Sequence, residues 1–111
     1  MQIFTEELQD GITLVILEGR MDIEGANSVN LDLNIIAGSK TAVLVDMQKV
    51  SYIASIGIGV LVTVAKTIKK KGGKFAILAP IPVVDKVLRT ADIYQVFPVH
   101  YELEPALAAM K

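Results

Sequence analysis

The sequence of 111 residues predicts one α/β domain over residues 1–111, with a mixed sheet of four to five strands packed with about four helices. Apolar, β-branched segments alternate with segments of helical period after an initial hairpin signal, which is the pattern of an α/β sheet. A hydrophobic fraction of 52% and the absence of cysteine fit a core that needs no disulfide. The predicted order is β-β-α-β-α-β-α-β-α, with a short last strand.

The chain opens with a predicted hairpin. Its strands are Ile3 to Leu8 and Thr13 to Leu17, and Asp10-Gly11 between them is a strong signal for a tight turn. The second strand is nearly all apolar, which is typical of a strand covered on both faces. Gly19 then marks a break in the chain after this strand.

A first helix is predicted from about residue 24 to residue 37. Its buried stripe follows the three-and-four spacing of a helix and consists of Ala26, Val29, Leu33 and Ile36. Asp22 lies at or just before the helix start, where a carboxylate is favoured. Gly38-Ser39-Lys40 is expected to end the helix.

The centre of the chain is a run without charged side chains from Val50 to Ala65. Thr41 to Val45 before it is read as a buried parallel strand, and residues 47–54 as a loop that leads into a helix. Ser55 suits the N-cap of that helix, because its hydroxyl can accept a bond from a free backbone N–H. The helix has a predicted core face of Ile58, Leu61, Ala65 and Ile68, and a second, candidate surface face of Ile56, Gly59 or Val60, Thr63 and Thr67.

The last third of the chain continues the alternation. Gly72-Gly73 ends the central helix, and Lys74 to Leu78 is the next predicted strand. Pro82 precedes a third helix over residues 83–90, as expected for proline at a helix start. Residues 99–101 are predicted as the short last strand and residues 103–110 as the closing helix.

No motif in the sequence brings together residues for catalysis, metal binding or cofactor binding. His100 is the single histidine, and no G-x-S-x-G places a nucleophile, so enzymatic function is disfavoured. Gly57 and Gly59 resemble the start of G-x-G-x-x-G, but Val62 replaces the third glycine and the preceding loop is too long for the tight turn. We therefore expect no cofactor and no metal.

Membrane insertion and direct nucleic-acid binding are also disfavoured. The sixteen uncharged residues of the central run fall short of the roughly 18 to 20 that a spanning helix needs. A lysine patch follows, consisting of Lys66, Lys69, Lys70, Lys71 and Lys74, but it has no interleaved aromatic side chains. We interpret it as solvation of a helix end rather than as a phosphate or lipid site. Glu6, Glu7 and Asp10 do not fit a signal peptide, so a cytoplasmic protein is expected.

The segment Asp46 to Leu61, DMQKVSYIASIGIGVL, resembles the STAS domain, and within it the bacterial anti-sigma-factor antagonists. Three further segments resemble the same family, so that the match spans nearly the whole chain. They are LEGRMD at residues 17–22, VVDKVLRTADIYQVFP at residues 83–98, and the start of the closing helix at residues 102–107.

The resemblance implies a partner-switching protein that is not an enzyme. Such proteins bind an anti-sigma factor, usually also a serine kinase, and thereby free a sigma factor. Phosphorylation of one serine by that kinase prevents binding, and a serine phosphatase restores it. The family's serine stands two residues before the first glycine of the G-x-G segment, which is Ser55 here. Ala54 and Ile56 depart from the family's usual acid and small residue beside this serine.

A docking surface is predicted on the starts of the first and central helices. Its residues are Met21, Asp22, Glu24, Asn27, Ser55, Ile56, Gly59, Val60 and Thr63. A bare glycine would let a partner approach closely, and the apolar residues would supply contact. The alternative interpretation is that both glycines serve helix-to-sheet packing, that Ile56 is core, and that Ser55 is a cap alone.

Two other functions compete with the antagonist hypothesis. The first is a STAS scaffold that is not phosphorylated, such as an accessory subunit of a membrane transporter or signalling complex, with Ala54 and Ile56 adapted to a permanent interface. The second is a small enzyme or nucleotide-binding domain, which depends on Gly57 and Gly59 alone.

Overall fold

The computed structural model describes residues 1–111 as one five-stranded sheet with four α-helices. The five strands lie in the sheet in their chain order, the first is antiparallel to the second, and all other neighbours are parallel. The predicted fold class and element order are confirmed. In chain order the elements are β1 (Gln2–Glu7), β2 (Thr13–Met21), α1 (Ile23–Ser39), β3 (Ala42–Ile53), α2 (Ser55–Lys70), β4 (Lys74–Leu78), α3 (Pro82–Thr90), β5 (Val99–His100) and α4 (Leu103–Met110).

The predicted hairpin is present, with a register that runs from Gln2 opposite Glu18 to Glu7 opposite Thr13. Its connection contains a 3-10 turn in which Asp10 and Gly11 have φ angles of 64° and 73°. Asparagine, aspartate and glycine tolerate this left-handed region best, so Asp10-Gly11 is a local cause of the turn.

Strand β2 extends beyond Leu17, where the sequence predicts its end. It continues to Met21, and its register against β3 shifts between Gly19 and Arg20. Gly19 has a φ of 119°, which other residues rarely adopt, so glycine here permits the irregularity instead of stopping the strand.

Strand β3 is twelve residues long and reaches Ile53, so the predicted loop over residues 47–54 is wrong. Its second half pairs with the extended end of β2, where Met21 lies opposite Ile53. Met47, Val50 and Ile53 are buried while the residues between them are exposed. Buried residues therefore recur every third position, where the register shifts, instead of at every second position as in a regular strand. The usual alternating pattern that identifies a strand in a sequence is absent here.

Helices cover the two faces of the sheet unequally. The larger core lies between one face and helices α1, α2 and α3, and contains a cluster of 23 buried residues, among them Leu17, Leu33, Met47, Leu61 and Leu88. The opposite face is covered by α4 alone, and its cluster has seven members: Ile12, Leu14, Leu44, Ala76, Leu78, Ala106 and Met110. Alternating side chains of β2 to β4 supply both clusters, as expected for strands buried on two faces.

Three lysines of the patch after α2 have structural roles. The Nζ atoms of Lys69 and Lys71 donate to the carbonyl oxygens of Val96 at 2.9 Å and Lys40 at 2.8 Å. The Lys74 Nζ donates to the carbonyl oxygen of Lys111, the residue that follows α4. Cations at free carbonyls satisfy polar groups that helix ends and turns leave open, which favours the structural interpretation of the patch.

None of the helices combines the length and the apolar character that a membrane crossing requires. The central helix α2 has 16 residues, and its exposed face carries Thr63 and Lys66.

A tyrosine-centred network joins α3 to the segment after β5. The Tyr101 hydroxyl donates to Asp85 Oδ1 at 2.7 Å and accepts from Arg89 Nη2 at 3.0 Å. Arg89 Nε also pairs with Asp85 Oδ2 at 3.1 Å, and the Tyr94 hydroxyl lies 2.8 Å from that of Tyr101. Desolvation is the largest cause that raises the pKa of Tyr101, and the bond to Asp85 raises it further. The network thus links α3 to Tyr101, the residue that follows β5.

We predict that Tyr101→Phe destabilises the protein by about 1 kcal/mol, because it removes the hydroxyl that Asp85 and Arg89 share. Tyr94→Phe is the matched control, since it removes only the bond to Tyr101 and should cost less. Urea unfolding of the three proteins measures the difference. Equal midpoints for Tyr101→Phe and wild type would contradict the role assigned to the network.

Candidate functional site

Two helices begin side by side at one edge of the sheet. The carboxyl ends of β2 and β3 are paired there, and the backbone N–H of Ala54 donates to the Met21 carbonyl at 3.0 Å. Helix α1 starts at Ile23 and α2 starts at Ser55, each within two residues of its strand. The first turns of both helices, with their free N–H groups, therefore face the same region of surface.

Asp22 is the N-cap of α1, as predicted. Its Oδ1 accepts from the backbone N–H of Gly25 at 2.8 Å, and its Oδ2 lies 3.6 Å from Arg20 Nε. The bond from Gly25, with help from Arg20, holds the pKa of Asp22 below its ordinary value. Gly25 has no room for a side chain, because a Cβ would overlap the Arg20 carbonyl oxygen.

Ser55 is the first residue of α2 and not its N-cap, which corrects the prediction. Because β3 runs to Ile53, Ala54 takes the extended conformation that an N-cap requires, with φ −100° and ψ 169°. Ser55 is exposed, and no side-chain capping bond is present at this helix start. The hydroxyl is thus accessible from solvent, and the interpretation of Ser55 as a cap alone is wrong.

The two glycines of α2 have different surroundings. A Cβ on Gly57 would lie 2.8 Å from Met21 Cγ and 3.1 Å from the Met21 carbonyl oxygen, whereas a Cβ on Gly59 would meet nothing within 4 Å. Helix-to-sheet packing therefore accounts for Gly57 but not for Gly59.

The segment before the two glycines differs from the long loop that the sequence predicts. The connection between β3 and α2 is the single residue Ala54, so the preceding loop is short and not long. Both glycines lie inside α2, however, and not in the turn that would hold a pyrophosphate.

Most of the predicted docking residues are exposed near the starts of α1 and α2, and we call this set of residues the α1–α2 surface. Ile56 keeps 38% of its area exposed, so the interpretation that it belongs to the core is wrong. Asp22 is half-buried, and the other members are exposed. The α1–α2 surface consists of Asp22, Glu24, Asn27, Ser55, Ile56, Gly59 and Thr63.

Met21 and Val60 do not belong to this surface, contrary to the prediction. Their side chains are 0% and 9% exposed and lie in the larger core. Met21 ends β2 beneath Gly57, and Val60 follows Gly57 by three residues on the inward side of α2. Both residues support the α1–α2 surface from below.

Two shallow depressions flank the start of α2, and the sequence predicted neither. The first, of about 380 Å³, is lined by Arg20, Asp22, Ile23, Glu24, Tyr52 and Ala54. In it the Arg20 guanidinium lies 4.5 Å from the centre of the Tyr52 ring. The second, of about 340 Å³, is lined by Ser55, Ile58, Lys86, Val87, Thr90 and Ala91. Only tertiary packing brings α3 beside Ser55, so no local sequence signal could have found Lys86.

The structure defines a small α/β domain with an exposed serine at the start of its central helix. The profile of the STAS domain family matches residues 5–106. The chain therefore belongs to the STAS domain family, and the resemblance seen in the sequence is confirmed.

Similar proteins share nearly the full length of the chain. A Bordetella bronchiseptica protein named as a candidate anti-sigma factor antagonist, BtrV, is 29% identical over 104 residues, covering 92% of this chain and 89% of its own. An anti-sigma factor antagonist from Mycobacterium paratuberculosis has a crystal structure with a TM-score of 0.86 and 24% identity, over 98% of this chain and 92% of its own. The structure of the Bacillus cell fate determinant SpoIIAA in its phosphorylated form has a TM-score of 0.74 and 16% identity, covering 99% of this chain and 100% of its own. The two structural likenesses show the shared fold.

We predict opposite effects for alanine at the two glycines of α2. Gly57→Ala should destabilise the protein by about 1 to 3 kcal/mol, because the new methyl group overlaps Met21. Gly59→Ala should stabilise it by about 0.5 to 1 kcal/mol, since the site is open and alanine favours a helix. Chemical denaturation of both variants provides the measurement. Changes of the same sign in the free energy of unfolding would contradict the close contact of Gly57 with Met21.

We predict that the Asp22 carboxylate stabilises the protein at neutral pH and loses this effect in acid. Its lowered pKa means that the contribution is complete above the ordinary value of 3.8 and is lost as the pH falls below it. Asp22→Asn keeps a capping oxygen without the charge. The Tm gap between wild type and Asp22→Asn should therefore shrink from about pH 7 to about pH 2. Asp32→Asn, an exposed change further along α1, serves as control, and a gap independent of pH would contradict the prediction.

Proposed function

We propose that this chain is a cytoplasmic anti-sigma-factor antagonist that binds an anti-sigma factor through the α1–α2 surface. Phosphorylation of Ser55 by a serine kinase, which the anti-sigma factor itself provides in many such systems, abolishes this binding. A serine phosphatase acts on the phosphorylated form and restores it. The observation that carries the proposal is the accessible Ser55 at the first residue of α2, within the α1–α2 surface. The relationship to BtrV along nearly the whole chain supports the same function.

The proposed binding surface has the features of a small docking site. Ile56 offers a partly exposed apolar side chain, and the bare backbone at Gly59 allows close approach. Glu24 and Asn27 on α1 supply a polar rim. Beneath the surface, Met21 and Val60 belong to the core, so little rearrangement is needed on binding.

Electrostatics explains how one modification would exchange partners. A phosphate adds about −1.5 to −2 charges to a surface that already contains Asp22 and Glu24. The fold should tolerate it, because Ser55 is exposed at the positive end of a helix. Burying the phosphate against an unprepared partner would cost about 2 to 5 kcal/mol. This cost corresponds to a loss of about 30-fold to several-thousand-fold in affinity.

A second candidate function is a STAS scaffold that is never phosphorylated and remains bound to a membrane transporter or signalling complex. Ala54 favours it, because this half-buried residue cannot supply the acid that commonly precedes the serine in the family. Ile56 also favours it, since an exposed isoleucine suits a permanent interface. The two functions differ in what replacement of Ser55 should do.

We predict that Ser55→Asp leaves the fold intact and weakens binding to the anti-sigma factor by about 30-fold or more. Ser55→Ala is the matched control and should bind like the wild type, because the hydroxyl itself caps nothing. The three proteins, immobilised in lysate of the source cell, capture the partner for identification by mass spectrometry. Titration of each variant with the purified partner then gives the affinities.

Three outcomes decide between the functions. Loss of an anti-sigma factor or serine kinase from the Ser55→Asp bait alone supports the switch. Equal capture of the same partner by all baits contradicts regulation at Ser55. Stable recovery of a membrane complex on all three baits, without phosphate on the natural protein, supports the scaffold.

A further inference from the structure

The depression between α2 and α3, which we call the α2–α3 groove, includes Ser55 in its lining. Ser55 and Ile58 contribute one face of the first turn of α2, and Lys86 and Thr90 contribute successive turns of α3. A group attached to the Ser55 hydroxyl can therefore extend across the groove toward α3 or away from it toward α1.

The two directions differ in charge. Lys86 is the one charged residue among the six that line the α2–α3 groove. On the other flank, the depression beside α1 contains the carboxylates of Asp22 and Glu24 together with Arg20. Arg20 pairs with Asp22 at 3.6 Å and stacks on a tyrosine ring. An anion on Ser55 is thus attracted toward α3 and repelled from α1.

The Lys86 ammonium is available for an anion. Its side chain is exposed and takes part in none of the four ion pairs of the structure. The neighbouring Asp85 is engaged by Arg89 and Tyr101. Thr90 bonds only to the Lys86 backbone carbonyl, at 2.9 Å, which leaves the ammonium group free.

We propose that the phosphoryl group of phosphorylated Ser55 turns into the α2–α3 groove and is held there by Lys86. This inference rests on the proposed modification of Ser55 and adds the residue that receives the phosphate. The formal charge of the groove changes from +1 to between about −0.5 and −1 when the phosphate enters. Phosphorylation therefore alters α3 as well as the α1–α2 surface, and a partner that contacts Lys86 loses a cation at the same moment.

The test uses protein with phosphoserine incorporated at position 55 during synthesis, followed by ³¹P NMR as the pH is varied. An ammonium group in contact with the phosphate, about 4 Å away at about 0.1 M salt, favours the dianion and lowers the second pKa of the phosphate by about 0.5 unit. Lys86→Met should raise this pKa by that amount. The helix N-terminus acts equally in both proteins, so the difference isolates Lys86.

Two controls make the result specific. Lys70→Met removes an exposed lysine at the far end of α2 and should leave the phosphate pKa unchanged. Arg20→Met removes the cation on the α1 flank and should have a smaller effect than Lys86→Met. An unchanged pKa in Lys86→Met, or a larger shift in Arg20→Met, overturns the inference. The titration needs neither kinase nor partner, so a negative result does not contradict regulation of binding by phosphorylation of Ser55. That regulation is tested separately by the binding of Ser55→Asp.

Discussion

The pairing of β2 with β3 at their carboxyl ends is the interaction on which the candidate site depends. The Ala54 N–H bonds to the Met21 carbonyl, and Met21 lies directly beneath Gly57. Because Gly57 has no side chain, α2 approaches the sheet closely, and Ser55 is held at a fixed height above the strand ends. The exposed serine thus rests on a buried and tightly packed base, which is the arrangement that a binding surface needs to stay preorganised.

The sequence predicted those parts of the fold that local chemistry determines. The turn at Asp10-Gly11, the proline at the start of α3 and the buried stripe of α1 each depend on neighbouring residues alone. The second half of β3 could not be predicted in this way. Its buried residues recur every third position where the register against β2 shifts twice, between Ile16 and Glu18 and between Gly19 and Arg20. This irregularity belongs to the pair of strands and not to either sequence.

The same dependence on neighbours explains why the sequence does not predict every residue of the candidate site correctly. Residue type favours Ser55 as the N-cap, whereas the cap is Ala54, the residue that directly follows the end of β3. The sequence predicts Met21 and Val60 on the surface, because the inward side of a strand end or of a helix cannot be assigned until its packing partner is known. Both side chains pack inward around Gly57. Lys86 is close to Ser55 only because α3 packs beside α2.

The strand order β1-β2-β3-β4-β5 repeats the chain order, so each new strand pairs with the one formed just before it. A single α-helix joins each pair of parallel neighbours, so these pairings link segments that lie near one another along the chain. The α1–α2 surface is complete once the chain has reached Lys70, whereas the α2–α3 groove forms only after α3 docks. Undocking of α3 would therefore dissolve the groove. It would also expose the core beneath the α1–α2 surface, because Val84 of α3 belongs to the same buried cluster as Leu33 and Leu61.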